Sequence, residues 1–218
     1  MTTFNKRLVR LLFGLFLYSL GIVFTINAKI GYSPWDVFHY GLSKITGVTF
    51  GTASIIVGLI IVFITFILGE KIGLGTVLNM LLIGIFLDIL MKIRIVPTST
   101  NLFTGILMMM IGLIIISFAS FFYIGSAFGA GPRDGLMVAI NRKTGFPIGV
   151  CRGAIEISAA LIGFSLGGML GFGTVISALM IGFFVQQTFK CLKFDANTVK
   201  HETLAETFNF NRFIEKKS

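Results

Sequence analysis

Six apolar runs constrain the fold of this chain more than any other feature of its sequence. An α-helix needs about 20 mostly apolar residues to cross a bilayer core that is roughly 30 Å thick. The runs that meet this length cover residues 11–28, 50–69, 73–91, 102–124, 148–167 and 172–190. Because the bilayer core holds no water to bond the backbone, each run must close its own hydrogen bonds as a helix. The sequence therefore predicts an all-α membrane protein with six transmembrane helices.

The amino-acid composition agrees with a bilayer rather than water as the solvent. Hydrophobic residues make up 55% of the chain and charged residues only 12%, whereas a soluble domain carries about 25% charged residues. The net charge of +9 does not indicate a nucleic-acid partner, because the basic residues lie between and beyond the apolar runs and not along one soluble face. The lipid bilayer is the predicted partner.

The distribution of basic residues predicts the orientation of the spans. With the N-terminus inside, 14 of the 18 Lys and Arg residues lie on the cytoplasmic side, and the four outside are Lys29, Lys44, Lys92 and Arg94. This asymmetry predicts cytoplasmic N- and C-termini.

The first run is longer than a signal-peptide core and no clear cleavage site follows it, so we expect it to be retained. The tail after residue 192 has phenylalanines among charges over 204–214, which predicts contact with the inner leaflet.

The two halves of the sequence match at a fixed offset of 98 residues. Residues 31–86 and 129–184 align without a gap and share 18 identities in 56 positions, against roughly 4 or 5 expected from so biased a composition. The match predicts a duplicated unit, with the first repeat at residues 1–98, the second at 99–192 and a cytoplasmic amphipathic tail at 193–218.

Each predicted repeat contains three spans, and this odd number has a geometric consequence. The second copy must enter the membrane from the side opposite to the first, which makes an inverted repeat with a pseudo-two-fold axis in the membrane plane. Many secondary transporters are built in this way. The architecture alone does not fix an activity.

A short polar segment follows the first span of each repeat, at residues 34–45 and 132–143. Each starts with a proline and carries an aspartate in its first turn: Pro34 and Asp36 in the first copy, Pro132 and Asp134 in the second. Proline at the first position and an acid in the first turn are helix-start signals. The pattern predicts two short helices, each too short to cross a bilayer.

Two arrangements of these short helices fit the sequence. In one, both are half-helices that enter the membrane from opposite faces, so that their N-terminal turns meet near the midplane and face a cavity. Asp36 and Asp134 would then cap the helices, bind a cation or carry a proton. In the other, both helices lie flat at the two interfaces and the acids are ordinary caps.

Charged and polar residues within the long spans are further candidates. Arg152 and Glu156 lie four residues apart at one end of the fifth span, and only the second repeat carries charges there. They form either a structural ion pair or part of a functional site. Asp88 is expected to pair with Lys92 at the interface, and Asn79 to hydrogen-bond a neighbouring helix.

Small residues predict close packing at three places. The Gly-x-Gly-Thr sequences at 73–76 and 171–174 open the third and sixth spans; without the Lys-Ser/Thr of a phosphate-binding loop, they indicate tight turns and packing faces. Ala159, Gly163 and Gly167 recur every four residues along the fifth span, which indicates contact with another helix.

Catalytic and metal-binding patterns are missing from the sequence. Cys151 and Cys191 lie in or beside apolar runs, and His39 and His201 are far apart, so no metal-ligand spacing occurs. No nucleophile motif is present. We therefore expect free thiols, no cofactor and no enzyme activity.

Three short runs carry a resemblance to a known family. Ser33–Asp36, Gly131–Gly135 and Gly171–Thr174 resemble the YczE/YyaS/YitT group of bacterial integral membrane proteins, and the likeness extends over residues 10–192. The YitT branch usually has an additional C-terminal soluble domain, so this chain is more similar to the YczE-like branch. The resemblance implies a multi-span protein of the bacterial plasma membrane. It implies no activity and no site residues.

Our leading hypothesis is a small transporter or channel-like protein that moves a small solute or ion. The residues predicted to line its path are Asp36, Asp134, Arg152 and Glu156, with Pro34 and Pro132 starting the two short helices. The alternative is a non-transporting membrane scaffold or regulator that acts through partner proteins, and an intramembrane enzyme ranks third. The sequence is compatible with a homo-oligomer and leaves the solute and any coupling ion open.

Overall fold

The computed structural model describes residues 3–208, and over this range helices joined by short loops form the architecture. The eight main helices are α1 (Thr3–Asn27), α2 (Pro34–Thr46), α3 (Phe50–Ile67), α4 (Leu74–Ile93), α5 (Leu102–Ile124), α6 (Pro132–Thr144), α7 (Ile148–Ser165) and α8 (Phe172–Cys191). A 3₁₀ turn at Ala196–Thr198 and a short helix α9 (Leu204–Phe208) follow.

Six of these helices are long and apolar enough to cross a membrane, which confirms the number predicted from the sequence. They are α1, α3, α4, α5, α7 and α8. The largest difference is at α1, which begins at Thr3 and not near residue 11. The reason is tertiary: Phe4 and Leu8 pack against the core, and Arg7 donates to the Ser126 carbonyl at 2.8 Å, so the basic segment continues the helix.

The outer surface of the bundle is apolar. Large side chains on the long helices point away from the protein and are more than two-fifths exposed; they include Phe63, Phe103, Leu161, Leu179 and Phe183. Exposed apolar area on this scale is an aggregation liability in water. It is the expected surface of helices that contact lipid.

The helix boundaries repeat with the same 98-residue offset as the sequence. The first and last residues of α6, α7 and α8 lie 98 positions after those of α2, α3 and α4. The backbone repeats too: Gly31 and Gly129 have φ of 115° and 124°, and Gly47 and Gly145 have φ of 74° and 73°. These left-handed conformations favour glycine, which explains why the same residue stands at both positions of each pair.

The centre of the bundle is a close antiparallel contact between α1 and α5. A Cβ atom on Gly21 would lie 2.8 Å from the Gly112 carbonyl oxygen, and one on Gly112 would lie 2.8 Å from the Gly21 carbonyl oxygen. Nearer the start of α1, Gly14 packs in the same way against Tyr123, near the end of α5. Because small residues let two backbones approach, dispersion contacts hold the pair together without a hydrophobic driving force.

The Gly-x-Gly-Thr sequences form tight packing faces, as predicted. The Gly75 N–H donates to the Phe128 carbonyl at 2.7 Å, and the Gly173 N–H donates to the Ile30 carbonyl at 2.7 Å. Each contact joins the start of a long helix in one half to the loop after the first span of the other half. The Thr76 hydroxyl adds a bond to the Ala130 carbonyl at 2.6 Å.

The short helices pack against helices of the opposite half, and α2 is the more buried of the two: six of its residues are buried, against Pro132 and Ala139 in α6. Helix α2 runs parallel to α7, where a Cβ atom on Gly41 would lie 2.5 Å from the Gly163 carbonyl oxygen. This contact confirms the predicted packing role of Gly163. Helix α6 runs beside α3, and Arg142 near its end donates to the Leu68 carbonyl at 2.6 Å.

The described part of the tail returns to the bundle. The Glu202 carboxylate pairs with Arg7 at 2.7 Å, and the Leu204 N–H donates to the Ile72 carbonyl at 3.0 Å. Of the predicted amphipathic segment 204–214, only α9 is described; its Phe208 is exposed, and Phe210 and Phe213 lie outside the described residues.

We predict that Gly163→Ala lowers the stability of the protein by about 1–3 kcal/mol, because the added methyl group overpacks the α2–α7 contact. Thermal unfolding of the detergent-solubilised protein measures the effect. Gly153→Ala is the matched control on the same helix, since a Cβ atom at Gly153 meets nothing within 4 Å and alanine favours a helix. Equal melting temperatures for the two variants would contradict the packing assignment.

Candidate functional site

A cavity lies between the N-terminal turns of α2 and α6 and the long helices around them. Its volume is about 220 Å³, and a smaller space of about 80 Å³ adjoins it. The polar and charged side chains that line the larger cavity are Tyr18, Trp35, His39, Ser54, Asn79, Ser120, Tyr123, Arg133, Asp134, Arg152 and Glu156. Apolar side chains such as Ile22, Met80 and Ile116 complete the lining, and an apolar cavity wall with a few charged groups makes this the strongest site candidate among the described residues.

The first turns of the two short helices contact each other. The Arg133 guanidinium carbon lies 4.8 Å from the centre of the Trp35 ring, a cation–π distance. Arg133 stands 98 positions after Trp35, so the contact joins equivalent positions of the two halves. The sequence left open whether these helices enter the bundle, and here their N-terminal turns meet inside it.

Asp36 belongs to a buried hydrogen-bonded group at the start of α2. Pro34 is the first residue of the helix, and the side chain of Asp36, two residues on, is only 2% exposed. The Ser33 hydroxyl donates to one carboxylate oxygen, and the other lies 3.5 Å from His39 Nδ1. Asp36 Oδ1 and His39 Nδ1 are both buried, and neither has another hydrogen-bond partner. Asp36 lines the smaller space.

Asp134 has a different environment, although it stands at the equivalent position of α6. Gly131 replaces the serine and Met137 replaces the histidine that surround Asp36. Pro132 starts the helix as Pro34 does, but the Asp134 side chain is exposed to the larger cavity. Because α6 has no serine and no histidine at these two positions, the Asp134 carboxylate is more accessible to a bound solute or ion than the Asp36 carboxylate.

Arg152 and Glu156 form the predicted ion pair, with Nε and Oε1 3.0 Å apart. The pair lines both the larger and the smaller space. It is therefore an ion pair that also faces the cavity, so the two interpretations offered by the sequence are not exclusive. All six residues predicted for the path border one of the two spaces.

The expected pairing of Asp88 with Lys92 is wrong. Asp88 instead accepts hydrogen bonds from the Gly51 N–H at 2.8 Å and from the Thr49 hydroxyl. The reason is that α3 begins beside the last turns of α4, and the free N–H groups of a helix start attract a carboxylate. A tertiary partner thus replaces the partner one turn away on the same helix.

Several cavity residues were missed by the sequence analysis. The repeat could have indicated Trp35 and Arg133, since they occupy equivalent positions beside the two acids. Only the fold shows that their side chains are in contact. Tyr18, Asn79 and Tyr123 carry no local signal: Asn79 was expected to join helices, and it lines the cavity. In the described part of the chain, no group of three or more His, Cys, Asp or Glu is placed to hold a metal ion.

Trp35, the single tryptophan, reports on the contact between the short helices. We predict that Arg133→Met changes its emission maximum and intensity, because a cation 4.8 Å from the ring is removed. Lys143→Met is the matched control: it removes a positive charge from the exposed end of the same helix, and its spectrum is expected to equal the parent's. Superimposable spectra for the parent and Arg133→Met would contradict the contact.

Comparison with known proteins places the chain in a family. Residues 5–190 match the model described as "Family of unknown function (DUF6198)". An uncharacterized protein of Haemophilus influenzae is 37% identical over 83% of this chain and 82% of its own length. The uncharacterized membrane protein YczE of Bacillus subtilis is 36% identical over 78% of this chain and 79% of its own length.

More distant similarity extends to a third protein. The uncharacterized protein YyaS of Bacillus subtilis is 27% identical over 78% of this chain and 85% of its own length. No solved structure matches. The resemblance drawn from the short runs is confirmed: the chain is a membrane protein that belongs to the DUF6198 family, together with YczE.

Proposed function

We propose that this protein transports a small solute or ion across the bacterial plasma membrane through the cavity between α2 and α6. The proposal rests on the meeting of two helix N-terminal turns beside two adjoining spaces. Asp134 borders the larger space, Asp36 the smaller one, and Arg152 and Glu156 border both. Ionisable groups at membrane depth are costly and mark ion or solute paths. Discontinuous helices that start at such a site are typical of secondary transporters.

The proposed architecture is an inverted repeat with cytoplasmic termini. Three features support it: the shared helix boundaries at an offset of 98, the antiparallel contact of the equivalent helices α1 and α5, and the excess of basic residues on one side. In this architecture α2 and α6 are half-helices that enter from opposite faces. For α2, burial supports this over a flat position at the interface, since Trp35, Val37 and His39 are each at most 9% exposed. For α6 the support is the contact of its first turn with Trp35.

The lining of the cavity favours a small polar solute over an apolar one. It offers a guanidinium at Arg133, a carboxylate at Asp134 and the hydroxyls of Tyr18 and Tyr123. Hydrogen-bond donors and acceptors of both signs recognise a polar or charged group. A volume of about 220 Å³ limits the solute to a size near that of a simple ion with its water or a small organic molecule.

The cavity also favours transport over the two alternative functions, a scaffold and an enzyme. A scaffold that acts only through partners needs a packed core, and a charged cavity would destabilise it without benefit. Over residues 3–208, the arrangement most similar to a catalytic triad is Ser33, Asp36 and His39. There the carboxylate lies between the serine and the histidine, whereas a nucleophilic serine needs the histidine beside it as base. We therefore propose transport without covalent chemistry.

We predict measurable flux in liposomes that contain the purified protein. A panel of radiolabelled rubidium ion, chloride ion and glycine supplies a cation, an anion and a zwitterion, and at least one should enter faster than into empty liposomes. The double variant Asp36→Asn and Asp134→Asn should return that flux to the empty-liposome level, because both carboxylates leave the path.

Glu206→Gln, which neutralises an acid in the tail helix α9, is the control and should transport like the parent. Parent-level flux in the double variant would refute the assignment of the two acids. Failure of all three compounds to enter would refute transport of a simple cation, anion or zwitterion of this size, and would favour the scaffold.

A further inference from the structure

The two halves of the molecule, which agree in helix boundaries, differ at the contact between their last two helices. In the first half, α3 and α4 are closed against each other over the first turns of α3. In the second half, the equivalent turns of α7 and α8 have no such contact. The contrast is clearest at two glycine pairs, Gly51 with Gly84 and Gly149 with Gly182.

The closed pair is a direct contact of backbones. A Cβ atom on Gly51 would collide with the Gly84 carbonyl oxygen, and one on Gly84 would lie 2.5 Å from the Gly51 carbonyl oxygen. Asp88 fastens the contact by accepting from the Gly51 N–H at 2.8 Å and from the Thr49 hydroxyl. We call these two hydrogen bonds the Asp88 latch.

The equivalent pair in the second half is open. A Cβ atom on Gly149 or Gly182 would meet nothing within 4 Å, and both glycines are exposed. The first residue of α7, Ile148, is 50% exposed, whereas the first residue of α3, Phe50, is 6% exposed. Gln186 stands at the position of Asp88.

The open pair lies on two helices that also contribute residues to the site. Arg152 and Glu156 lie one and two turns after Gly149 on α7, and Ile181 and Val185 flank Gly182 on α8; all four line the larger cavity. With the orientation proposed above, the closed pair lies at the outer end of the cavity and the open pair at its cytoplasmic end. Because α7 and α8 are apart where α3 and α4 touch, the cytoplasmic end of the cavity lacks the cover that the closed pair gives the outer end.

Glycine at the open positions needs an explanation, because each costs a helix about 1 kcal/mol relative to alanine. Nothing in this conformation requires glycine at either position, since a Cβ atom on Gly149 or Gly182 would have no neighbour within 4 Å. Their counterparts Gly51 and Gly84 show what such glycines permit, a backbone contact between two helices. A second conformation in which Gly149 and Gly182 meet explains both residues.

We propose that the protein alternates between two conformations in which the halves exchange roles. In one, Gly51 contacts Gly84 and the Asp88 latch is formed, with the cavity open to the inside. In the other, Gly149 contacts Gly182, the latch is broken, and the cavity opens to the outside. This alternating access rests on the proposed transport function, and it identifies Asp88 as the residue that favours the inward-open state.

Disulfide trapping tests the exchange without any solute. Gly149→Cys and Gly182→Cys are introduced after Cys151→Ala and Cys191→Ser have removed the native thiols. In membranes, copper–phenanthroline should form the disulfide slowly, through the minor conformation. Adding Asp88→Ala should speed disulfide formation by about tenfold, the shift expected when a charge-assisted hydrogen bond that favours one state is lost.

Two comparisons make the test specific. Thr49→Val removes the other side of the latch and should also speed disulfide formation, so the result does not depend on one variant that unfolds. Lys92→Ala, one turn from Asp88 on α4, should leave the rate unchanged. The same slow rate with the latch intact and removed, in variants that elute and melt as folded protein, would overturn the proposal.

The outcome is separable from that of the transport assay. If removal of the Asp88 latch speeds disulfide formation but none of the three compounds enters the liposomes, the protein has two conformations and does not transport those compounds. If a compound enters the liposomes but the rate of disulfide formation is the same with and without the Asp88 latch, the protein is a transporter whose two halves do not exchange conformations in this way.

Discussion

Two helices, α2 and α6, begin inside the apolar bundle, and the free N–H groups of their first turns need polar surroundings. A helix start leaves N–H groups without intrahelical partners, and burying them in an apolar bundle costs free energy unless something accepts from them. Neither Ser33 nor Gly131, the residues before the two helices, caps the first turn with a side-chain hydrogen bond. Proline as the first residue removes one N–H in each case. The remaining polarity explains why a cavity with charged walls, and not a dry core, lies where the two helices meet.

Glycine contacts make this polar centre possible. Helices α1 and α5 approach until the backbones of Gly21 and Gly112 touch, which leaves the short helices to be held by α3 and α7 on either side. Without a hydrophobic driving force in lipid, such close packing supplies much of the cohesion between helices. The polar site is thus supported by a frame whose own contacts are apolar and steric.

The sequence predicted the parts of this fold that are local or periodic. Six long apolar helices follow from six apolar runs, the recurring helix boundaries follow from the offset of 98 residues, and the Arg152–Glu156 pair follows from helical spacing. Contacts set by the crossing of distant helices were not predictable in this way. Asp88 pairs with the start of α3 and not with Lys92, because a helix terminus in space outcompetes a neighbour along the chain. The stacking of Arg133 on Trp35 and the polar role of Asn79 likewise depend on the assembled bundle.

The difference between the halves was hidden for a related reason. Gly149 and Gly51 are the same residue in equivalent positions, so sequence alone gives them the same role, and only the structure shows one pair in contact and the other apart. The departures from symmetry that the sequence does contain lie beside the site: Ser33 and His39 hold Asp36, while Gly131 and Met137 leave Asp134 to the cavity. One half therefore supplies a fixed carboxylate and the other an accessible one.

The proposed transport path requires the two short helices to enter the bundle from opposite sides of the membrane. Cysteines placed singly at Ile45 and Lys143, equivalent exposed residues near the ends of α2 and α6, test it in otherwise cysteine-free protein in intact bacterial cells. A membrane-impermeant maleimide should label the cysteine of Ile45→Cys directly and that of Lys143→Cys only after the cells are permeabilised. Labelling of both cysteines from the same side would contradict the inverted architecture, and the transport path with it.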